Sequence, residues 1–287
     1  MKMYKSLLFV LTWGLLAGST LVVAATLVPQ KAVLVTGAST GIGLSIAETL
    51  AKNGFYVYAG ARKPADLQRL DALENISAVK LDVTVQQDID AAVEFVRSQG
   101  RGLWGVVNNA GIVEVGLLSG DSDAAFRWTF EVNVFGPVRI NQAFMPLLRE
   151  SKGRTTIIGS ISGYIVDSSD GGDGGYKSQI RNKMLEQMLA AADAGELSLD
   201  AASRAKMVST NYGNDSLKEP DEVAAAVLDV RSSVTPRRRY MVTPNLEQAQ
   251  MTISAALRRL LELNAHQPYS YNRDQLIALL DQLLAAP

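Results

Sequence analysis

The 287-residue chain has no cysteine, one histidine (His266) and only 7% aromatic residues. Without cysteine there is no disulfide, no thiolate nucleophile and no cysteine zinc site. With one histidine, a Ser-His-Asp arrangement or a histidine-rich metal centre has almost nothing to draw on, so no metal site is expected. Acid–base chemistry falls to tyrosine, lysine or a carboxylate. The chain also lacks a charge excess: its formal net charge is −1. It therefore carries no global electrostatic signature of nucleic-acid binding, and none is expected. Low-complexity sequence is confined to the polar, glycine-rich stretch 168–175, and there is no internal repeat.

What the chain does have is the stretch 31–43, KAVLVTGASTGIG. Residues 32–35 form a short apolar, β-branched run, the pattern of a buried parallel strand. A turn with glycines at 37, 41 and 43 follows. Ile42, Ile46 and Leu50 then recur at helical spacing up to Asn53-Gly54, a C-cap signal. Strand, glycine turn and helix together aim free backbone N–H groups and a helix N-terminus at a phosphate. Gly37 allows the tight turn, Gly41 lets backbone approach a pyrophosphate, and Gly43 lets helix pack on strand. A P-loop fits poorly, because no Gly-Lys-Ser/Thr closes the turn.

Residues 1–30 are set apart. Lys2 and Lys5 precede an uncharged run over 6–30. It is long enough to span a bilayer, and Val23-Ala24-Ala25 fits a signal-peptidase site. The expectation is a signal peptide or a membrane anchor over 1–30, with the protein membrane-associated or exported. An over-extended start site is the alternative, and the protein is then cytoplasmic. Residues 31–287 suit one domain.

Further strands are predicted at 56–60, 78–81, 103–107 and 155–159, with helices at 85–99 and 126–149. After the second strand come Arg62 and Lys63, where an acidic residue would accept the ribose 2′-hydroxyl of NAD. Two cations there suit the 2′-phosphate of NADP. The remainder reads as helices over 184–194, 199–207, 220–230, 247–263 and 273–286, with one more strand at 239–242. The leucine stripe of 273–286 suits domain packing or a subunit contact, so a homo-oligomer is one expectation.

TGASTGIG at 36–43, LDV at 81–83, NNAG at 108–111 and VNVFGPV at 132–138 together resemble the short-chain dehydrogenase/reductase family, in its hydroxysteroid and retinol dehydrogenase type. The resemblance covers residues 31–163. It implies a single α/β domain, a doubly wound Rossmann-type parallel sheet, binding NAD(P) at the carboxyl ends of its strands. It places Gly37, Ser39, Thr40, Gly41, Ile42 and Gly43 around the phosphates, and Asp82 and Val83 against the adenine. Asn109, Ala110 and Gly111 line the cofactor. It makes Ser160 the serine that orients the substrate oxygen, with Ser162 less favoured. Asn133 becomes the asparagine that holds a water for the catalytic lysine. The implied reaction is hydride transfer between NADP(H) and a hydrophobic alcohol or ketone.

The pattern then breaks. The family's acid is a tyrosine with a lysine four residues later, on one helix face, where the ammonium lowers the phenol pKa. None of the nine tyrosines has a lysine at that spacing. Tyr176-Lys177-Ser178 resembles the segment that follows the family's sixth strand, so the helix bearing Tyr and Lys and the strand behind it are read as missing. An internal deletion, a fault in the coding-sequence assignment and a divergent member all remain open. The competing reading is a catalytically silent dinucleotide-binding or scaffold protein.

Overall fold

The computed structural model describes residues 30–113, 123–163, 175–195 and 197–285. Five parallel strands form one sheet in the order β3-β2-β1-β4-β5. They are β1 (Ala32–Val35), β2 (Tyr56–Ala61), β3 (Ile76–Lys80), β4 (Gly105–Asn108) and β5 (Arg154–Ile157). Between them run α1 (Gly41–Lys52), α2 (Pro64–Asp71) and α3 (Gln86–Ser98). Then α4 (Asp123–Phe130) passes through a π-helical turn, Glu131–Phe135, into α5 (Gly136–Glu150). After β5 the chain is helical: α6 (Gln179–Asp193), α7 (Ala201–Ser209), α8 (Asp221–Ser232), α9 (Leu246–Ala265) and α10 (Arg273–Ala285).

The central strands are apolar throughout because both faces are covered. Leu34, Val106 and Tyr58 face a core shared with Ile89, Val93, Ile140 and Phe144 of α3 and α5. Val33, Val35, Val57 and Val107 face Ile46, Leu50 and, from α8, Ala224 and Val227. Reversal of strand order between β1 and β4 produces the crevice at which such sheets bind ligands. The fold is thus the expected single α/β domain with a Rossmann-like parallel sheet.

Two expectations are corrected. Residues 239–242 form no strand. Tyr240 instead donates its hydroxyl to Asp229 of α8 at 2.6 Å and accepts from the Arg237 N–H at 3.1 Å. A strand exists only where it has a ladder partner, and among the described residues β5 pairs with β4 alone. The second concerns the membrane. Among the described residues no helix is long and apolar enough to cross a bilayer, and residues 1–29, on which the signal peptide or anchor rested, lie outside them. The assignment to a membrane-associated or exported location is therefore withdrawn.

Candidate dinucleotide and substrate cleft

The glycine turn is built by backbone conformations that only glycine adopts without strain. Gly37 has φ +65° and Gly41 φ +55°. A Cβ on Gly37 would lie 2.8 Å from Ala110 Cα. One on Gly43 would lie 2.3 Å from the Gly37 carbonyl and 2.4 Å from Asn109 Nδ2. Gly43 therefore packs the start of α1 against the turn itself and against the end of β4. Thr40 stands at the N-cap of α1 in extended backbone, but its side chain caps nothing, and the first turn has no acidic residue. The orphan N–H groups of that turn are left for an outside acceptor. This arrangement fits a phosphate group.

Thr36 is the residue that sequence reasoning passed over. Its hydroxyl accepts from the N–H groups of Asn109 and Ala110, both at 3.0 Å. Asn109 returns the link, donating Nδ2 to the carbonyls of Thr36 at 3.0 Å and Gly37 at 3.1 Å. Two loops more than 70 residues apart are thereby clamped together. Thr36 lies inside the TGASTGIG motif, but only the tertiary arrangement shows its partner.

One cleft of about 2270 Å³ opens at the C-terminal ends of the strands. It is larger than the roughly 300–1,000 Å³ usual for a ligand pocket, in keeping with an outer edge of β5 that no other described strand covers. Its lining includes Gly37, Ser39, Thr40, Ile42, Gly43, Arg62, Asp82, Val83, Asn109, Ala110, Gly111, Asn133 and Ser160. Gly41 abuts the rim: a Cβ there would meet Ser178 at 3.3 Å. Lys63 is the exception. It is exposed at the N-cap of α2 and does not line the cleft, because Pro64 turns the chain into the helix at that point.

Arg62 lies 3.6 Å from Asp82. Burial is the largest influence on Asp82 and opposes its charge. The Thr84 hydroxyl and N–H, at 2.7 and 2.9 Å, and the Arg62 guanidinium outweigh it together. The carboxyl is held below the usual range. Asn133 sits in the π-helical turn, a deviation frequent at functional sites. Its Oδ1 accepts from the Ile112 N–H at 2.9 Å and its Nδ2 donates to the Ile112 carbonyl at 2.8 Å. Its amide thus holds the segment after NNAG. Ser160 donates to Ser162 Oγ at 3.0 Å and accepts from the Ser162 N–H at 3.1 Å.

Tyr176 and Lys177 do not act on one another. The Tyr176 hydroxyl donates to Glu222 at 2.6 Å, and Lys177 Nζ reaches Glu219 at 2.9 Å. Burial first, then the Glu222 hydrogen bond and charge, push the Tyr176 phenol upwards, opposite to what an acid working at neutral pH needs.

Residues 31–169 match the family described as short chain dehydrogenase. Bovine mitochondrial D-beta-hydroxybutyrate dehydrogenase is 39% identical over 150 residues, covering 49% of this chain and 44% of that protein. Mouse estradiol 17-beta-dehydrogenase 2 is 40% identical over 148 residues, covering 48% and 38%. The chain thus spans less than half the length of these curated relatives. A short-chain dehydrogenase from Streptomyces avermitilis shares the fold with TM-score 0.57 at 24% identity, over 82% of this chain and 94% of that one. The glycine turn clamped to NNAG and the β1/β4 crevice both fall within residues 31–169, the stretch that matches the short chain dehydrogenase family.

Proposed function

We propose that the chain binds NADP(H) in this cleft and derives from oxidoreductases acting on a small hydrophobic alcohol or ketone, with its acid–base step impaired. The observation that carries the cofactor preference is Arg62, at the end of β2 and on the cleft wall, where an NAD-binding protein carries a carboxylate. The pair with Asp82 does not compete strongly. Arg62 is half exposed at 52%, and such pairs contribute about 0–1 kcal/mol. A charged hydrogen bond to a 2′-phosphate contributes about 1.5–3 kcal/mol.

When bound, the dinucleotide supplies or accepts the hydride. This chain's own residues divide the remaining work. The glycine turn and the N-terminus of α1 hold the phosphates, and Asp82 and Val83 wall the adenine side. Ser160 can donate a hydrogen bond to a carbonyl, but it cannot release a proton at neutral pH. The related proteins named above act, by their names, on hydroxybutyrate and estradiol, so small alcohols and ketones are the substrates to try.

The test measures NADPH and NADH affinities of the wild type and of Arg62→Ala. NADPH binds tighter in the wild type, and the variant loses about tenfold or more of NADPH affinity. Equal wild-type affinities refute the preference. The fixed Tyr176–Glu222 pair favours a second reading, a silent dinucleotide-binding protein. Absence of ketone turnover with NADPH bound would select it.

A further inference from the structure

The opposite end of the sheet carries a second, unassigned cavity. Parallel register creates it. Val33 stands beside Gly105 and Gly105 beside Arg154, so Lys31, Trp104 and Arg154 meet at the starts of three adjacent strands. Backbone bonds from Trp104 N to the Ala32 carbonyl, 2.8 Å, and from Arg154 N to the Trp104 carbonyl, 3.0 Å, tie them together. Lys152 comes from the turn after α5, and Arg231, Ser232 and Ser233 from the end of α8. With Phe55 and Val234 these residues enclose about 240 Å³.

The lining has four cations, Lys31, Lys152, Arg154 and Arg231, and no carboxylate. Among the described residues none of the four takes part in a salt bridge. Their partners are neutral. Lys31 lies over the Trp104 ring, 4.5 Å from its centroid. Arg154 donates to the carbonyls of Val230 and Ser233, both at 2.8 Å. Arg231 donates to the Arg154 carbonyl at 2.6 Å, the Val106 carbonyl at 3.0 Å and Thr156 Oγ1 at 2.5 Å. It is 7% exposed, and its Nε has no partner. Burial, then the Arg154 charge, draw its pKa down to about 10. A guanidinium this deep ordinarily has a counter-charge. Lys152 adds a local oddity. It has φ +51° just after α5, where glycine is the common choice.

We propose that this cavity binds a phosphate-type dianion, either inorganic phosphate or the terminal phosphate of a small ester. Arg231 Nε, left without an acceptor, can donate to a phosphate oxygen, the two ammonium groups add point charge, and Ser232 and Ser233 bring hydroxyls to the lining. The negative end of the α8 dipole opposes an anion. Arg154 offsets it by binding the α8-terminal carbonyls.

The experiment titrates the full chain with sodium phosphate, and in parallel with glycerol 3-phosphate, by calorimetry at fixed ionic strength. Saturable binding is expected in the wild type and in Arg62→Ala. It weakens about tenfold or more in Lys31→Ala and in Lys152→Gly, as loss of a charged hydrogen bond implies. Lys152→Gly guards against misfolding: glycine suits a positive φ, so its phosphate-free Tm equals or exceeds that of the wild type. Tighter glycerol 3-phosphate names the ester as ligand, and tighter inorganic phosphate names the free ion. No saturable binding at millimolar phosphate overturns the site. So does binding that persists undiminished in Lys31→Ala and Lys152→Gly, since the phosphate then sits elsewhere, as at the glycine turn.

Discussion

Asp82 shows how one side chain serves both stability and the cleft. It caps its own turn through Thr84 and faces Arg62 on the cleft wall. Its folded pKa lies below the unfolded value near 3.9. The sign follows by linkage. The stabilisation is fully present above about pH 4, and it is lost as pH falls through the folded value. Asp82→Asn should therefore lower the urea midpoint at pH 7 while narrowing the gap to wild type at pH 3. Equal losses at both pH values would show that charge plays no part. Arg62 and Asp82 were legible as single positions from their places after β2 and β3. Their pairing was not, because it depends on how far those strands extend.

Among the elements, the joint between α1 and the glycine turn is set by close packing at Gly43. Gly43→Ala forces a methyl group onto the Gly37 carbonyl and the Asn109 amide. Overpacking of this kind costs about 1–3 kcal/mol, to be read as a fall in the urea-unfolding midpoint without a change in slope. Dinucleotide affinity should fall with it, since Asn109 can no longer clamp the turn. A variant as stable as wild type would contradict the close packing. The helix over α4 and α5 was legible as one amphipathic run. Its π-helical turn was not, since it arises where Asn133 bends towards the Ile112 backbone. The stripe Phe126, Phe130, Val134 and Val138 along this run is exposed.

For the molecule as a whole, the dominant feature is that among the described residues the outer side of β5 has no partner strand. Ile157 is 60% exposed, and an unpaired edge invites association. A crossover helix with its strand amounts to about 30 residues. Insertion of a helix carrying Tyr-x-x-x-Lys and a following strand between Gly175 and Tyr176 should cover that edge and restore the proton donor. Positioned general acid–base catalysis is worth roughly 10²–10⁴-fold, so NADPH-dependent turnover of hydrophobic ketones should rise by that order and solubility should improve. Turnover by the unaltered chain at around 1–10³ s⁻¹ would show that the gap is not a defect, and Tyr176→Phe would be the next variant to make.

The sequence alone determined the five strands of the sheet, the helices between them, the glycine turn and the absence of a paired tyrosine and lysine. These follow from hydrophobic period, from glycine's access to positive φ and from residue spacing, all local properties. Only the tertiary structure decided what distant residues do to one another. It tied Tyr176 to Glu222, 46 residues away, and left residues 239–242 without a ladder to join. It also gathered Lys31, Trp104, Lys152, Arg154 and Arg231 around one cavity. Nothing in their spacing announces that grouping, because it is set by strand order and parallel register.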